Sequence, residues 1–282
     1  MSLLPNIEFA PIRTMAAKEF RDRVRSRWVL AVAIVFAIFA MAIAYFGAAQ
    51  QGAIGFRGLA YTIASLVSLV IYLIPLIALM LGFDAIVGER ERGSLDLLLS
   101  MPITRSELLL GKFLGLAAAL ALPTLGGFGL VGGMIAWQGG WNALFHYGGF
   151  IFSTLLLGLA FLSIAVLISV LAKDRTRASG TAIAAWFFLV LIYDLLLLGA
   201  LVATGGETGG ETGAALFPVL LLLNPADVYR LLNIFSLEEV KTIYGLATVF
   251  PDSLANPALL GGVMTAWIVV PLGVAAWRFN KA

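Results

Sequence analysis

The chain lacks most of what a soluble catalyst is built from. It has no cysteine and a single histidine among 282 residues. Disulfides, thiolate metal sites and cysteine nucleophiles are therefore excluded, and His146 alone cannot make a histidine-rich metal centre. Charge is equally scarce: 12% of residues are Asp, Glu, Lys or Arg, against about 25% in an ordinary soluble domain. From Phe113 to Ala172 no charged residue occurs at all. What fills the space is apolar: 61% of residues are hydrophobic and the mean hydropathy is +1.00. The net charge of only +2 gives no electrostatic footprint for a nucleic-acid partner. The composition is that of a chain crossing a bilayer many times.

A bilayer core takes about 20 apolar helical residues. Six stretches qualify, which predicts an all-α membrane protein with six transmembrane helices. They are Trp28 to Ala49, a run between Arg57 and Asp84, two spans within Phe113 to Ala172 separated at Trp137–Asn142, a fifth from about Ala178 to Thr204, and a sixth from about Ala258 to Trp277. The runs do not alternate apolar and polar residues as barrel strands do. Pro75, Pro123 and Pro271 fall within spans and need neighbours that satisfy the carbonyls they free. Gly111/Gly115 and Gly129/Gly133 are small-xxx-small pairs that let another helix approach, from this chain or from a second copy of it.

The organisation that follows is a segment 1–27, spans one to five over 28–204 with loops 84–112 and 173–177, an outer segment 205–257, and a last span with its tail over 258–282. Fifteen Lys and Arg residues fall on the side of the termini and three, Arg57, Arg230 and Lys241, on the other. The positive-inside rule puts both termini in the cytoplasm. Residues Ile7 to Arg27 repeat apolar positions at steps of three or four (Phe9, Ile12, Ala16, Phe20, Val24) with basic residues between them, an amphipathic helix suited to the membrane surface.

The loop after span two is the richest in signals. Gly93 breaks its charged turn, Ser94 can cap a short helix carrying Leu95, Leu97, Leu98 and Leu99, and Met101-Pro102 ends it. A short helix of this kind at the membrane edge suits docking into another protein's groove. Asp194 is the ionisable residue set within a span, so a role in gating or a substrate path is weighed against a hydrogen bond to a neighbouring helix, with no base expected at its depth. In the outer segment a Gly-rich linker, Gly205 to Gly213, precedes Ala214–Leu223, which is too short to span. Asn224-Pro225 then starts a helix. Six acids against two bases make this segment acidic. Asn224, Pro225, Asp227, Tyr229, Arg230 and Phe235 offer aromatic and arginine side chains of the kind found in interface cores, so a partner-docking helix is expected there.

The run Glu89-Arg-Glu-Arg-Gly-Ser-Leu-Asp-Leu-Leu-Leu, followed by Met101-Pro102, Arg105 and Gly111-Lys112, resembles the signature of ABC-2 class permease subunits. Asn224-Pro-Ala-Asp-Val-Tyr-Arg230 resembles the NosY-like branch of that family, which supports maturation of the copper site of nitrous oxide reductase. The resemblance implies an exporter-type permease in the bacterial inner membrane, paired with a second copy and with a cytoplasmic NosF-like ATPase dimer that carries ATP and Mg. It also implies a periplasmic NosD-like partner. The transporter would move a sulfur species or copper, or pass ATP-driven motion outward. The ATPase-coupling residues implied are Glu89, Arg90, Glu91, Gly93, Leu95, Leu97, Leu98, Pro102 and Arg105, with Lys173 and Arg175 as a second contact. No G-x-x-x-x-G-K-[ST] loop is present, so the chain is expected to be no enzyme and to bind no cofactor or metal itself. Copper(I) prefers sulfur ligands, and the methionines stand singly. The alternatives are an ABC-2 exporter of a lipid or hydrophobic compound and, from another class, a secondary transporter, which would show inverted repeats and several buried charges.

Overall fold

The computed structural model describes residues 8–25, 27–46, 59–203, 219–235 and 256–281. The expected linker Gly205–Gly213, the stretch 214–218 and the charges Arg57, Glu238, Glu239 and Lys241 lie outside them. The described residues are helical, without strands. In chain order they form α1 (Phe9–Val24), α2 (Arg27–Phe46), α3 (Leu59–Gly82), α4 (Val87–Glu91), α5 (Ser94–Leu99) and α6 (Arg105–Leu171). Next come α7 (Arg175–Phe187), a π-helical turn (Phe188–Ile192), α8 (Tyr193–Ala203), α9 (Pro225–Phe235) and α10 (Pro257–Lys281).

Helix α6 runs for 67 residues, about 100 Å if it were straight. It is not straight. The Tyr147 hydroxyl donates to the Phe128 carbonyl at 3.1 Å, and a Cβ on Gly158 would stand 2.8 Å from Leu120. Contacts over such sequence separations require α6 to double back between its apolar limbs, Arg105–Trp137 and Leu144–Leu171. The reversal falls at the polar break Trp137–Asn142.

Five helical stretches among the described residues are long and apolar enough to cross a membrane: Ile63–Glu91, the two limbs of α6, Arg175–Ala200 and Pro257–Lys281. In α2 the apolar run is shorter, Ala31–Ile43. The second limb of α6 is the axis of the bundle, with 67% of its apolar window buried. Phe128 meets Phe36 at a tilt, with ring centres 5.6 Å apart, and Phe150 edge-on at 5.3 Å, which joins α2 to both limbs.

All three in-span prolines are accommodated in one way. The carbonyl three residues upstream, next to the one four upstream that loses its amide donor to the proline, receives a side-chain donor. Trp186 Nε1 donates to Tyr72 O at 3.0 Å before Pro75, Thr124 Oγ1 to Leu120 O at 2.8 Å before Pro123, and Ser163 Oγ to Ile268 O at 2.6 Å before Pro271. Two of the donors come from neighbouring helices, so the kinks also fix packing.

Helix α1 is amphipathic, and its buried stripe (Ile12, Met15, Glu19) lies on α6. Gly111 and Gly115 are what admit it. A Cβ on Gly111 would stand 2.6 Å from Met15 Cβ, and one on Gly115 2.6 Å from Ala16 O. This pair serves contact within the chain, whereas Gly129 and Gly133 face open space.

Candidate functional site: a coupling platform at one end of the bundle

The turn leaving α3 packs closely on the second limb of α6. Gly82 leaves no room for a side chain, since a Cβ there would stand 2.8 Å from Ala165 Cβ. The first amides of α4 need acceptors that its own turn cannot supply. Buried Ser169 provides one oxygen for both Ile86 N and Val87 N, at 2.9 and 3.1 Å. Arg90 reaches the other way, donating to Ala172 O at 3.0 Å and so capping the carbonyl end of α6 with positive charge. Between α4 and α5 stands Gly93 with φ of 69°, the one positive φ among the described residues. Nothing lies near its missing Cβ. The residue is glycine for its backbone conformation, not for space.

Helix α5 buries Leu95 and Leu98 and presents Leu97, 70% exposed, on the opposite face, with Met101 also exposed just beyond. Thr104 then starts α6 with a capping box: its hydroxyl accepts from Glu107 N at 3.2 Å, and Glu107 accepts from Thr104 N at 2.7 Å. The same carboxylate takes Glu8 N at 2.6 Å, tying the start of α1 to the start of α6. Arg105 donates to Phe279 O at 2.9 Å, fixing the end of α10.

Below α4 lies a chain of ion pairs. Lys112 on α6, almost fully buried, sits between Glu19 of α1 at 3.1 Å and Glu89 of α4 at 2.9 Å. Glu19 also holds Arg23 at 3.1 Å, Arg23 holds Asp84 at 3.2 Å, and Asp84 holds Arg175 of α7 at 3.1 Å. Burial works against the charge on Arg23, but Asp84 and Glu19 outweigh it and raise its pKa above the ordinary arginine value. Glu91 adds a second tie to α7 by accepting from Arg175 N at 2.8 Å. A cavity of about 660 Å³ is lined by this network, including Glu19, Arg23, Asp84, Glu89 and Lys112.

The two loops expected as separate contacts thus form one body. Glu89, Arg90 and Arg175 are its internal fasteners, Gly93 shapes it, and Leu95 and Leu98 glue it down. Leu97, Glu91, Pro102 and Lys173 remain at the surface. Sequence reasoning missed Glu19, Asp84, Glu107, Lys112 and Ser169 as part of this site. One signal was available: Glu19 follows Ile12 and Met15 at helical spacing on the buried stripe, and a charge in an apolar register implies a buried partner.

At the other end of the bundle two expectations are corrected. Helix α9 does not offer its side chains outward. Asn224, Pro225, Asp227 and Tyr229 are buried, because α9 lies against α3, α6 and α10. Tyr229 meets the Thr154 hydroxyl at 3.1 Å, and Asn233 donates to Ser153 Oγ at 3.0 Å. The Phe235 side chain is outside the described set. Nor is Asp194 without a base: Arg230 Nη2 lies 2.7 Å from its carboxylate, and Arg230 Nη1 lies 2.7 Å from Asp227. The return of α9 into the bundle supplies a base that no span carries. Burial pushes the Asp227 carboxyl up, to about 7, against the opposing pull of Arg230.

The profile of the ABC-2 family transporter proteins matches residues 13–282. Among curated proteins, the chain is 41% identical over 279 residues to a probable ABC transporter permease protein NosY of Stutzerimonas stutzeri, covering 95% of this chain and 97% of that one. It is also 41% identical over 272 residues to the protein of the same description from Pseudomonas aeruginosa, with the same coverage. A family match across nearly the whole chain, with two full-length relatives, places this protein in the ABC-2 family as a NosY-like, multi-pass permease subunit of an ABC transporter.

Proposed function

We propose that this permease works as a homodimer with a pair of cytoplasmic NosF-like ATPases in a bacterial inner membrane. In this reading both termini are cytoplasmic and the ATPases carry the ATP and Mg. The observation that carries the reading is α5, a short helix with two leucines buried and Leu97 left 70% exposed on a loop that is otherwise fastened down. An apolar residue on a rigid, charged loop is a surface waiting for a groove. The distribution of Lys and Arg, fifteen on the platform side and three opposite, supports the platform as the cytoplasmic end.

Mechanically, closure of the ATPases displaces α5. The displacement reaches the spans because α4 is tied to α6 through Glu89 and Lys112, to α1 through Lys112 and Glu19, and to α7 through Glu91 and Arg175. The names of the relatives favour a role in nitrous oxide reductase maturation, with a NosD-like periplasmic partner. The transporter then moves a sulfur species or copper, or passes motion to that partner. The buried side chains of α9 are not the docking surface in this reading.

The test uses the absence of cysteine. Leu97→Cys, carrying a benzophenone maleimide and co-expressed with the ATPase, is expected to photocrosslink to it. The same probe at Trp137, exposed at the far end of the first limb of α6, is expected not to. Crosslinking at Trp137 but not at Leu97 overturns the proposal.

A further inference from the structure

The span Arg175–Ala200, the fifth in the sequence reading, is the least enclosed of the five apolar stretches among the described residues: 17% of its apolar window is buried, against 22% for Pro257–Lys281 and 67% for the second limb of α6. It is also the one broken by a π-turn. Below the break, α7 is held by apolar burial of Ala178 and Ala182, by Trp186 on α3, and by Arg175 on Asp84. Above it, Leu197 is the one buried residue among the described side chains of α8, and Leu195, Leu196, Leu198 and Val202 are exposed.

Three polar contacts tie the π-turn and the start of α8 to residues 220–230. Asn224 Nδ2 donates to Leu189 O at 2.8 Å. Leu189 lies within the π-turn, where the ladder runs i→i+5, so the Asn224 amide donates directly to the break. The Tyr193 hydroxyl donates to Leu220 O at 2.7 Å, and Asp194 pairs with Arg230 at 2.7 Å. The far side of this contact does not move freely. Helix α9 is anchored on α6 by Tyr229–Thr154 and Asn233–Ser153, both buried.

We propose that α8 is a gate arm, hinged at the π-turn Phe188–Ile192 and latched to α9 by the Asp194–Arg230 pair, so that opening parts α8 from α9 while α9 stays on α6. This places a moving part on the outer half of the fifth span, and it does not depend on which molecule the transporter serves.

The experiment is a distance measurement between spin labels on the full chain in nanodiscs of phosphatidylethanolamine and phosphatidylglycerol. Labelled copies are diluted with unlabelled chain so that one label pair is read per assembly. Leu198→Cys and Leu223→Cys, both exposed, report the gap between α8 and α9. Phe152→Cys with Leu223→Cys reports α9 against α6. With the latch intact, the α8–α9 gap is expected to show one short distance with an open population below about 10%. Asp194→Ala is expected to raise the longer population about fivefold, and Arg230→Lys to raise it less, because the ammonium keeps the charge but cannot bridge both carboxylates as the guanidinium fork does. The α9–α6 distance is expected to be the same in all. If Asp194→Ala does not insert, Asp194→Asn replaces it, with a smaller rise expected. An unchanged α8–α9 distribution in the variant that inserts overturns the gate. So does a change confined to α9–α6, since that makes the pair a brace for α9 alone.

Discussion

The two ends of the bundle use the same chemistry for opposite purposes. At the platform, Lys112 stands buried between Glu19 and Glu89, and each partner lies on a helix that also packs by apolar contact. At the far end, Arg230 stands between buried Asp227 and Asp194, and Asp194 is about one third exposed on a helix with little apolar contact. The first arrangement makes a rigid body of α1, α4, α6 and α7. The second holds an arm that its packing does not hold. An ion pair's mechanical meaning is thus set by the packing around it rather than by its length, which differs here by only a few tenths of an ångström.

The sharpest break in this comparison comes from removing one buried charge. Lys112→Met leaves Glu19 and Glu89 without their shared base. The expected cost is about 3–5 kcal/mol, read as loss of folded protein in detergent thermal unfolding. Replacing Glu19 and Glu89 by Gln in the same chain should restore most of it. A Lys112→Met variant with unaltered melting would mean the network is not the platform's fastener.

Next in size is the α1 seat. Gly115→Val puts methyl groups where Ala16 O already stands at 2.6 Å from a Cβ. Overpacking of this kind costs about 1–3 kcal/mol, and limited proteolysis should release α1 first. By contrast, Asp194→Ala should cost less than Lys112→Met, because Arg230 keeps Asp227 as a partner at 2.7 Å. A loss as large as that of Lys112→Met would erase the distinction between the two ends.

A smaller effect distinguishes the outer cluster by pH. Burial raises the Asp227 carboxyl to about 7, so the folded chain holds that proton more tightly than the unfolded one. Its contribution to stability is therefore full below the ordinary carboxylate range and is lost as pH rises through the raised value. Melting temperature should fall between about pH 4 and about pH 7, and Asp227→Asn should flatten that slope. An equal slope in both chains would remove the raised carboxyl from the account.

Much of this was legible in the sequence. The scarcity of charge and the long apolar runs give the helical membrane fold directly, and the break at Trp137–Asn142 gives the reversal of α6. Gly93 and Met101-Pro102 bound α5, but Ser94 does not cap it as expected: the N-cap is Gly93, and the Ser94 hydroxyl instead donates back to Glu89 O at 3.3 Å. The pairings were not legible, because sequence separation hides them. Lys112 and Glu19 are 93 positions apart, and Asp194 and Arg230 are 36 apart. Asp194 read as isolated because its base lies on a helix that does not span. Tyr229 and Arg230 read as a docking pair because aromatic and arginine side chains are common both in interface cores and in buried polar contacts. Only the placement of α9 against α6 separates the two. The π-turn at Phe188–Ile192 had no signal in its apolar residues.

The central claim is that α5 receives the ATPase through an exposed apolar residue on a loop braced from within. Leu97→Asp measures it most directly. The side chain is exposed, so stability should stay within about 0.5 kcal/mol of the unaltered chain. In vesicles holding the permease with its ATPase, the account predicts that Leu97→Asp abolishes stimulation of ATP hydrolysis by the permease while the chain remains folded and inserted. Full stimulation by the Leu97→Asp chain would contradict it.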